Sequence, residues 1–148
     1  MTPGELFRYD VRGFLVVQNA IEPAYLALLN ERLDEWEAKA FVEYQELPED
    51  ANKDVRYNYI LNLEPSLLDL AANEKVLPYL QEMVERPRLK STWVTFRWRS
   101  GETRYHSNHT PSVTHNFYHF NGQIRHNLLN VMYAMRDIGP GQGGLKVV

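Results

Sequence analysis

Apolar residues in the first half of the chain recur every three or four positions, which is the period of an amphipathic helix. The clearest stretch is residues 23–40, where charged side chains fill the other faces of the predicted helix. Its apolar face carries Leu26, Leu29, Leu33 and Trp36. We therefore predict a long helix that packs on the rest of the domain through this face.

Shorter helices are predicted before and after the long one. Residues 3–10 have the signals of a helix start, with Thr2 as the N-cap and Glu5 at the third helical position. Residues 66–72 and 74–84 have apolar positions at helical spacing. The first half of the chain is therefore predicted to be mainly helical.

After Pro87 the pattern changes from helical spacing to the two-residue alternation of a strand. Residues 92–98 alternate in this way, and residues 103–108 are predicted to be a second strand. An Asn-Gly pair at 121–122 predicts a hairpin turn. Residues 126–137 are apolar on both faces, which predicts a strand in the middle of a covered sheet.

The chain ends with a glycine-rich turn at residues 139–144 and a further predicted strand at 145–148. Helices followed by strands, without alternation of the two, predict a single α+β domain over residues 1–148 with an antiparallel sheet. Because the last strand has no turn or cap after it, we expect the domain to be incomplete, as in a fragment.

The composition limits the class of protein. With 148 residues, of which 44% are hydrophobic, the chain is long and apolar enough for one domain with a core. It has no cysteine, which excludes disulfides and thiolate ligands. No apolar run is long enough to span a bilayer, and residues 1–5 lack the features of a signal peptide. We therefore expect a cytoplasmic protein that does not bind membranes.

The net charge of −3 is divided unevenly along the chain. Residues 1–85 carry 17 acidic and 7 basic side chains, with several acids in a loop predicted at 42–56, whereas residues 86–148 carry 2 and 9. The bases are scattered through predicted strands and do not form the basic stripe typical of a nucleic-acid surface. Two interpretations follow: the halves attract each other, or the basic half lines a cavity for a small anionic substrate or cosubstrate.

All five histidines lie in one short window that is also poor in acids. They are His106, His109, His115, His119 and His126. No Asp or Glu occurs between Glu102 and Asp137. Imidazole is the commonest metal ligand in proteins, so this window is the candidate metal site.

Three stretches resemble segments of one family, in the same order. Residues 5–17 (ELFRYDVRGFLVV) resemble a helix followed by a Gly-aromatic-Leu-Val strand, and residues 73–80 (NEKVLPYL) resemble a helix before the core strands. Residues 133–145 (YAMRDIGPGQGGL) resemble an aromatic-Ala-Leu-x-Asp strand followed by Pro-Gly-x-Gly-Gly. The family is that of the phytanoyl-CoA dioxygenases, which are non-haem iron, 2-oxoglutarate-dependent oxygenases. The resemblance implies N-terminal helices packed on a partial double-stranded β-helix, a jelly-roll or cupin-like core.

The resemblance also implies cofactors and site residues. Fe(II) would be the metal, 2-oxoglutarate the cosubstrate, and a small organic molecule the substrate that is hydroxylated. The family's first iron ligand falls on His106 and its carboxylate position on Asn108, with His119 as a reserve ligand. Tyr133 falls near the cosubstrate. The second histidine and the arginine that binds the cosubstrate would lie beyond Val148.

Asn108 departs from the family pattern, which has an acid at this position. A neutral amide oxygen is a weaker ligand than a carboxylate, and it leaves Fe(II) with less compensating charge. Three interpretations therefore stay open. The protein is an iron oxygenase, a non-catalytic jelly-roll protein that binds a ligand or metal through its histidines, or an incomplete gene product without a stable function.

Several residues of the window also have plain structural interpretations. His109 and His115 flank a proline in a predicted loop, where exposed histidines are common. His126 begins a predicted strand and is interpreted as structural, and Tyr133 as a core residue is an equal alternative to a cosubstrate contact. Asp137 is predicted to order the turn that follows it.

Overall fold

The computed structural model describes residues 1–48, 54–98, 117–121, 123–142, 144–145 and 147. The helices are α1 (Pro3–Arg12), α2 (Pro23–Glu46), α3 (Ile60–Leu63), α4 (Leu68–Ala71) and α5 (Leu77–Val84), with a 3-10 helix at Pro65–Leu67. The strands are β1 (Asp54–Asn58), β2 (Trp93–Arg97), β3 (Phe117–Phe120) and β4 (Gln123–His126). In the described ranges the architecture is mixed, with helices and two-stranded antiparallel sheets.

Helix α1 begins at the predicted cap. The Thr2 hydroxyl accepts a hydrogen bond from Glu5 N at 3.2 Å, and Thr2 N donates to the Glu5 carboxylate at 2.7 Å. The helix ends at Gly13, whose φ of 75° is left-handed and whose N–H donates to Tyr9 O at 2.7 Å. Tyr79 of α5 donates to the Glu5 carboxylate at 3.0 Å. Glu5 therefore also links α1 to α5.

Helix α2 extends beyond its predicted end. It continues to Glu46, so the prediction of a loop over all of 42–56 is wrong. The additional turns carry Phe41 and Tyr44, whose rings lie 5.4 and 5.0 Å from the ring of Trp98. These contacts join residues distant in sequence, and they stabilise turns that the periodicity alone did not predict.

Strands β1 and β2 form an antiparallel pair that confirms the predicted strand at 92–98. Val55 pairs with Phe96 and Tyr57 with Val94, and β1 packs on α2. At the end of the pair the Asp54 carboxylate accepts from Arg97 Nε at 2.6 Å. This bond is the main cause that lowers the pKa of Asp54 below its ordinary value.

A small core lies between α2 and the segment after β1. Leu29 of α2 has no exposed surface, and Ile60 and Leu67 are 4% exposed. Partly buried side chains surround these three, including Tyr25, Trp36, Tyr57 and Met135. The predicted apolar face of α2 therefore meets the short helices, as its spacing requires.

The predicted hairpin at Asn121 is confirmed. Phe117 pairs with His126 and Phe120 with Gln123, and Asn121 occupies the turn with a φ of 50°. Strand β4 packs against α5. The predicted strand at 103–108 lies outside the described residues, and the jelly-roll core stays a prediction.

The predicted central strand at 126–137 is wrong. Only His126 belongs to a strand, and none of the residues from 127 to 142 does. This segment contacts α2 through individual groups, because Asn30 Nδ2 donates to Met135 O at 3.0 Å. Met132 is 71% exposed. The apolar residues on the two faces of this segment are therefore not all buried by other elements.

The other two predicted extended segments also lack strand pairing in the described structure. Residues 14–17 lie in no strand, and neither do Leu145 and Val147. An extended segment becomes a strand only when a neighbour satisfies its N–H and C=O groups, which the residue pattern does not reveal.

The glycine-rich turn is confirmed at its first four residues, but its stabilising side chain is not the predicted one. Gln142 N donates to Gly139 O at 3.1 Å, and Gly141 has a φ of 81°, as a type II turn requires. The Gln142 side chain accepts from Gly139 N at 2.6 Å. The turn is therefore ordered by Gln142, while Asp137 is exposed.

Candidate functional site

The two main metal ligands of the sequence prediction lie outside the described residues. These are His106 and Asn108, and the same holds for His109 and His115. The reserve ligand, His119, lies in β3, where its backbone is paired with Ile124. All of these assignments stay predictions.

The side chains that are described do not form a metal site by themselves. Among them, no group of three or more His, Asp or Glu residues is arranged to hold a metal ion. A metal site with three or more such ligands from this chain would therefore need at least one donor that is not among the described side chains.

His126 lies at a junction between the hairpin and α1. It ends β4, so the prediction that it begins a strand is wrong, and its ring meets the Tyr9 ring edge-on at 5.3 Å. Burial lowers the pKa of the partly buried imidazole, and the charge of Asp10 opposes this effect. Burial also raises the pKa of Tyr9. The contact is that of a neutral histidine packed on an aromatic ring, which agrees with the structural interpretation.

Stability should fall on acidification through His126. Because its pKa in the folded state is below the ordinary value of 6.5, the unfolded chain binds the proton more readily. The contribution is therefore fully present above about pH 6.5 and is lost as the pH falls towards the folded-state pKa. Thermal unfolding followed between pH 5 and 8 should show a smaller pH dependence for His126→Gln than for the natural chain. An equal dependence in both proteins would contradict this role.

The hydroxyl of Tyr133, the residue predicted to lie near the cosubstrate, forms a hydrogen bond with a backbone carbonyl. The hydroxyl donates to Leu70 O at 2.8 Å, and burial raises the pKa of the phenol. Tyr25 of α2 donates in the same way to Ser66 O. The two tyrosines tie α2 and the segment after β4 to the short helices, and the phenol oxygen of Tyr133 keeps lone pairs for a further contact.

In the described structure, three acids of the first half pair with bases of the second half. Arg97 binds Asp54, and Arg136 binds Asp34 and, at 3.6 Å, Glu37 on the surface of α2. These pairs support the interpretation that the two halves attract each other. Exposed pairs of this kind stabilise a fold by only about 0–1 kcal/mol each.

A second candidate group of side chains was not predicted from the sequence. The Lys39 ammonium lies 4.7 Å from the ring centroid of Trp36 and 5.4 Å from that of Tyr57. Beside them is an open cleft of about 320 Å³ lined by Glu35, Trp36, Lys39 and Glu64. The three-residue spacing of Trp36 and Lys39 is visible in the sequence, but the approach of Tyr57 from β1 requires the tertiary fold.

The Tyr57 side chain is hydrogen-bonded to one acidic residue. Its hydroxyl donates to the Glu43 carboxylate at 2.8 Å. Burial, followed by this bond and the charge of Glu43, raises the pKa of Tyr57 to about 12. The phenol therefore stays protonated at physiological pH, and its ring is a neutral wall for the Lys39 cation.

The chain matches none of the protein-family models, curated proteins or solved structures with which we compared it. In the described part of the chain, no helix is long and apolar enough to cross a membrane.

Proposed function

We propose that this chain belongs to a non-haem Fe(II), 2-oxoglutarate-dependent oxygenase that hydroxylates a small organic substrate. His106 is the first metal ligand, Asn108 occupies the position of the usual carboxylate, and His119 is the reserve ligand. Tyr133 lies near the cosubstrate.

The observation that carries the proposal is the run at residues 133–145, read together with the histidine window before it. The run has an aromatic residue, an acid four positions later and then Pro-Gly-x-Gly-Gly, a residue order that resembles that of the phytanoyl-CoA dioxygenases. Its second glycine, Gly141, has a φ of 81°. Residues with a side chain rarely adopt this conformation, so this position of the motif has a conformational reason.

The chemistry of the donors fits Fe(II) only in part. Imidazole suits Fe(II), but His106 and Asn108 are both neutral and leave the metal charge uncompensated. The two carboxylates of 2-oxoglutarate would supply negative charge when the cosubstrate binds. We therefore expect metal and cosubstrate to bind cooperatively, with Fe(II) bound weakly in the absence of 2-oxoglutarate.

Substitution of the first ligand tests the proposal. We expect His106→Ala to weaken Fe(II) binding at least about tenfold, because even supporting groups around metal ligands contribute 10- to 100-fold. The measurement is anaerobic titration with Fe(II) in the presence of 2-oxoglutarate, followed by the visible absorption of the metal–cosubstrate complex. Succinate formation in air then measures consumption of the cosubstrate.

The matched control is His115→Ala, which removes an imidazole from the same window without touching a predicted ligand. We expect it to bind Fe(II) like the natural chain. Equal losses in both variants would mean that the histidines bind metal without a defined site. No absorption and no succinate from the natural chain would contradict the oxygenase proposal.

The neutral residue at position 108 favours a second candidate, a non-catalytic protein that binds a metal or ligand through the same histidines. Its expected result differs in one respect. Metal would bind and His106→Ala would weaken it, but 2-oxoglutarate would not be consumed. Asn108→Asp should then strengthen metal binding, because it restores the compensating charge.

A further inference from the structure

The Lys39 side chain lies against two aromatic rings set at an angle. Its ammonium is 4.7 Å from the Trp36 centroid and 5.4 Å from the Tyr57 centroid. The two rings meet edge to face, with 5.0 Å between centroids and 63° between planes. Both distances are within the range of about 6 Å in which a ring attracts a cation. The rings of Trp36 and Tyr57 therefore form two walls around one positive charge.

Carboxylates at ideal spacing do not hold this ammonium. Glu35 and Glu43 stand four residues before and after Lys39, the spacing that favours ion pairs on a helix. Glu35 binds Arg32 at 3.1 Å, and Glu43 accepts the Tyr57 hydroxyl at 2.8 Å. Among the described side chains, Lys39 makes no ion pair within 4.0 Å. Within the described residues, the Trp36 and Tyr57 rings are the contacts that the structure provides for this cation.

The Trp36 ring borders a cleft that also contains the carboxylates of Glu35 and Glu64. The cleft measures about 320 Å³, at the lower end of the range of about 300–1,000 Å³ for ligand sites. Its Glu64 carboxylate accepts from Trp36 Nε1 at 3.2 Å and from the Ser66 hydroxyl at 2.6 Å. The Ser66 bond is the main cause that lowers the pKa of Glu64 below its ordinary value. This carboxylate is therefore ionised and oriented by its partners.

The four lining residues include two acids, Glu35 and Glu64, and one base, Lys39. Arg32 lies beside the cleft as the ion-pair partner of Glu35. Arg32 is engaged with Glu35, so the charge of Lys39 is the one that an external cation could replace.

We infer that the cleft lined by Glu35, Trp36, Lys39 and Glu64 is a binding site for a small alkylammonium compound, and that Lys39 is its internal occupant. The external ammonium group takes the place of the Lys39 ammonium between the Trp36 and Tyr57 rings. Its alkyl groups lie on the ring faces, and Glu35 and Glu64 supply the opposite charge. None of the four lining residues belongs to the histidine window, so the inference does not depend on the proposed oxygenase function.

Removal of the internal cation tests this site. We expect Lys39→Ala to bind tetramethylammonium roughly tenfold more tightly than the natural chain, because the Lys39 ammonium no longer competes for the two rings. The measurement is an NMR titration of the Trp36 indole N–H, assigned with Trp36→Phe, against sodium chloride at the same ionic strength. Lys39→Met, which keeps an apolar chain over the rings, should also gain affinity. Addition of Glu35→Gln to Lys39→Ala should remove most of the gain.

The matched control is Arg56→Ala. Arg56 also lies over a tryptophan, 4.5 Å from the centroid of Trp93, but neither residue lines the cleft. We expect no gain in tetramethylammonium binding from this variant. An equal gain for Arg56→Ala and Lys39→Ala, or no gain for either Lys39 variant in a chain with native amide shifts, would overturn the inference.

Discussion

Leu29→Ala should destabilise the protein by about 2–5 kcal/mol, the usual cost of removing a fully buried leucine side chain. Leu29 has no exposed surface and lies at the centre of the cluster with Ile60 and Leu67. The substitution leaves a cavity between α2 and the short helices that carry Ile60 and Leu67. Urea unfolding, followed by tryptophan fluorescence, should show a midpoint lower by about 1 M or more.

The neighbouring leucine is the control for this prediction. Leu28 lies in the same turn of α2 but is 42% exposed, so Leu28→Ala should cost about 1 kcal/mol or less. The two variants change helix propensity equally. If they lowered the midpoint by the same amount, the packing of α2 through Leu29 would be contradicted.

Ala40→Asp should destabilise the protein by at least about 3 kcal/mol, because it places an unpaired carboxylate in a buried position. Ala40 has no exposed surface and lies in the second half of α2, the helix that packs on β1. The buried charge could be removed only by protonation of the new carboxyl group or by separation of α2 from the sheet. The measurement is the free energy of unfolding at pH 7 and at pH 5, and part of the loss should be recovered at the lower pH.

Ala38→Asp is the matched variant for this second prediction. Ala38 is exposed two residues earlier in α2, and the loss of helix propensity is the same at both sites. We expect Ala38→Asp to cost less than about 1 kcal/mol. Equal effects of the two aspartates would show that the second half of α2 is not packed as described.

Elements whose stability is local could be predicted closely from the sequence. Helix α1 begins at its predicted cap and continues to Arg12, two residues beyond its predicted end, because Thr2, Glu5 and Gly13 act on their own neighbours in the chain. The hairpin at Asn121 and the turn around Gly141 were predicted for the same reason, since each needs residues that tolerate a positive φ.

The candidate metal site could be predicted only as a set of residue types. His106, Asn108 and His119 have suitable donor atoms, but a metal site requires donors to meet in space, and spacing along the chain does not establish that. The cleft lined by Glu35, Trp36, Lys39 and Glu64 was not predicted from residue types, because its geometry depends on the tertiary structure. In the sequence, Trp36 and Lys39 are an ordinary pair of residues three positions apart on one helix. The second ring contact of the Lys39 ammonium comes from Tyr57 of β1, which the tertiary fold places beside it.

The sequence by itself determined where α1 and α2 start, where the turns at Asn121 and Gly141 occur and which face of α2 is apolar. The tertiary structure decided which of those faces are covered, and by what. Helix α2 continues past residue 40 because Trp98 packs on its last turns, whereas residues 127–137 form no strand although both of their faces are apolar. The physical reason is that capping and turn conformations depend on neighbouring residues, while strand pairing and burial depend on partners distant in the chain.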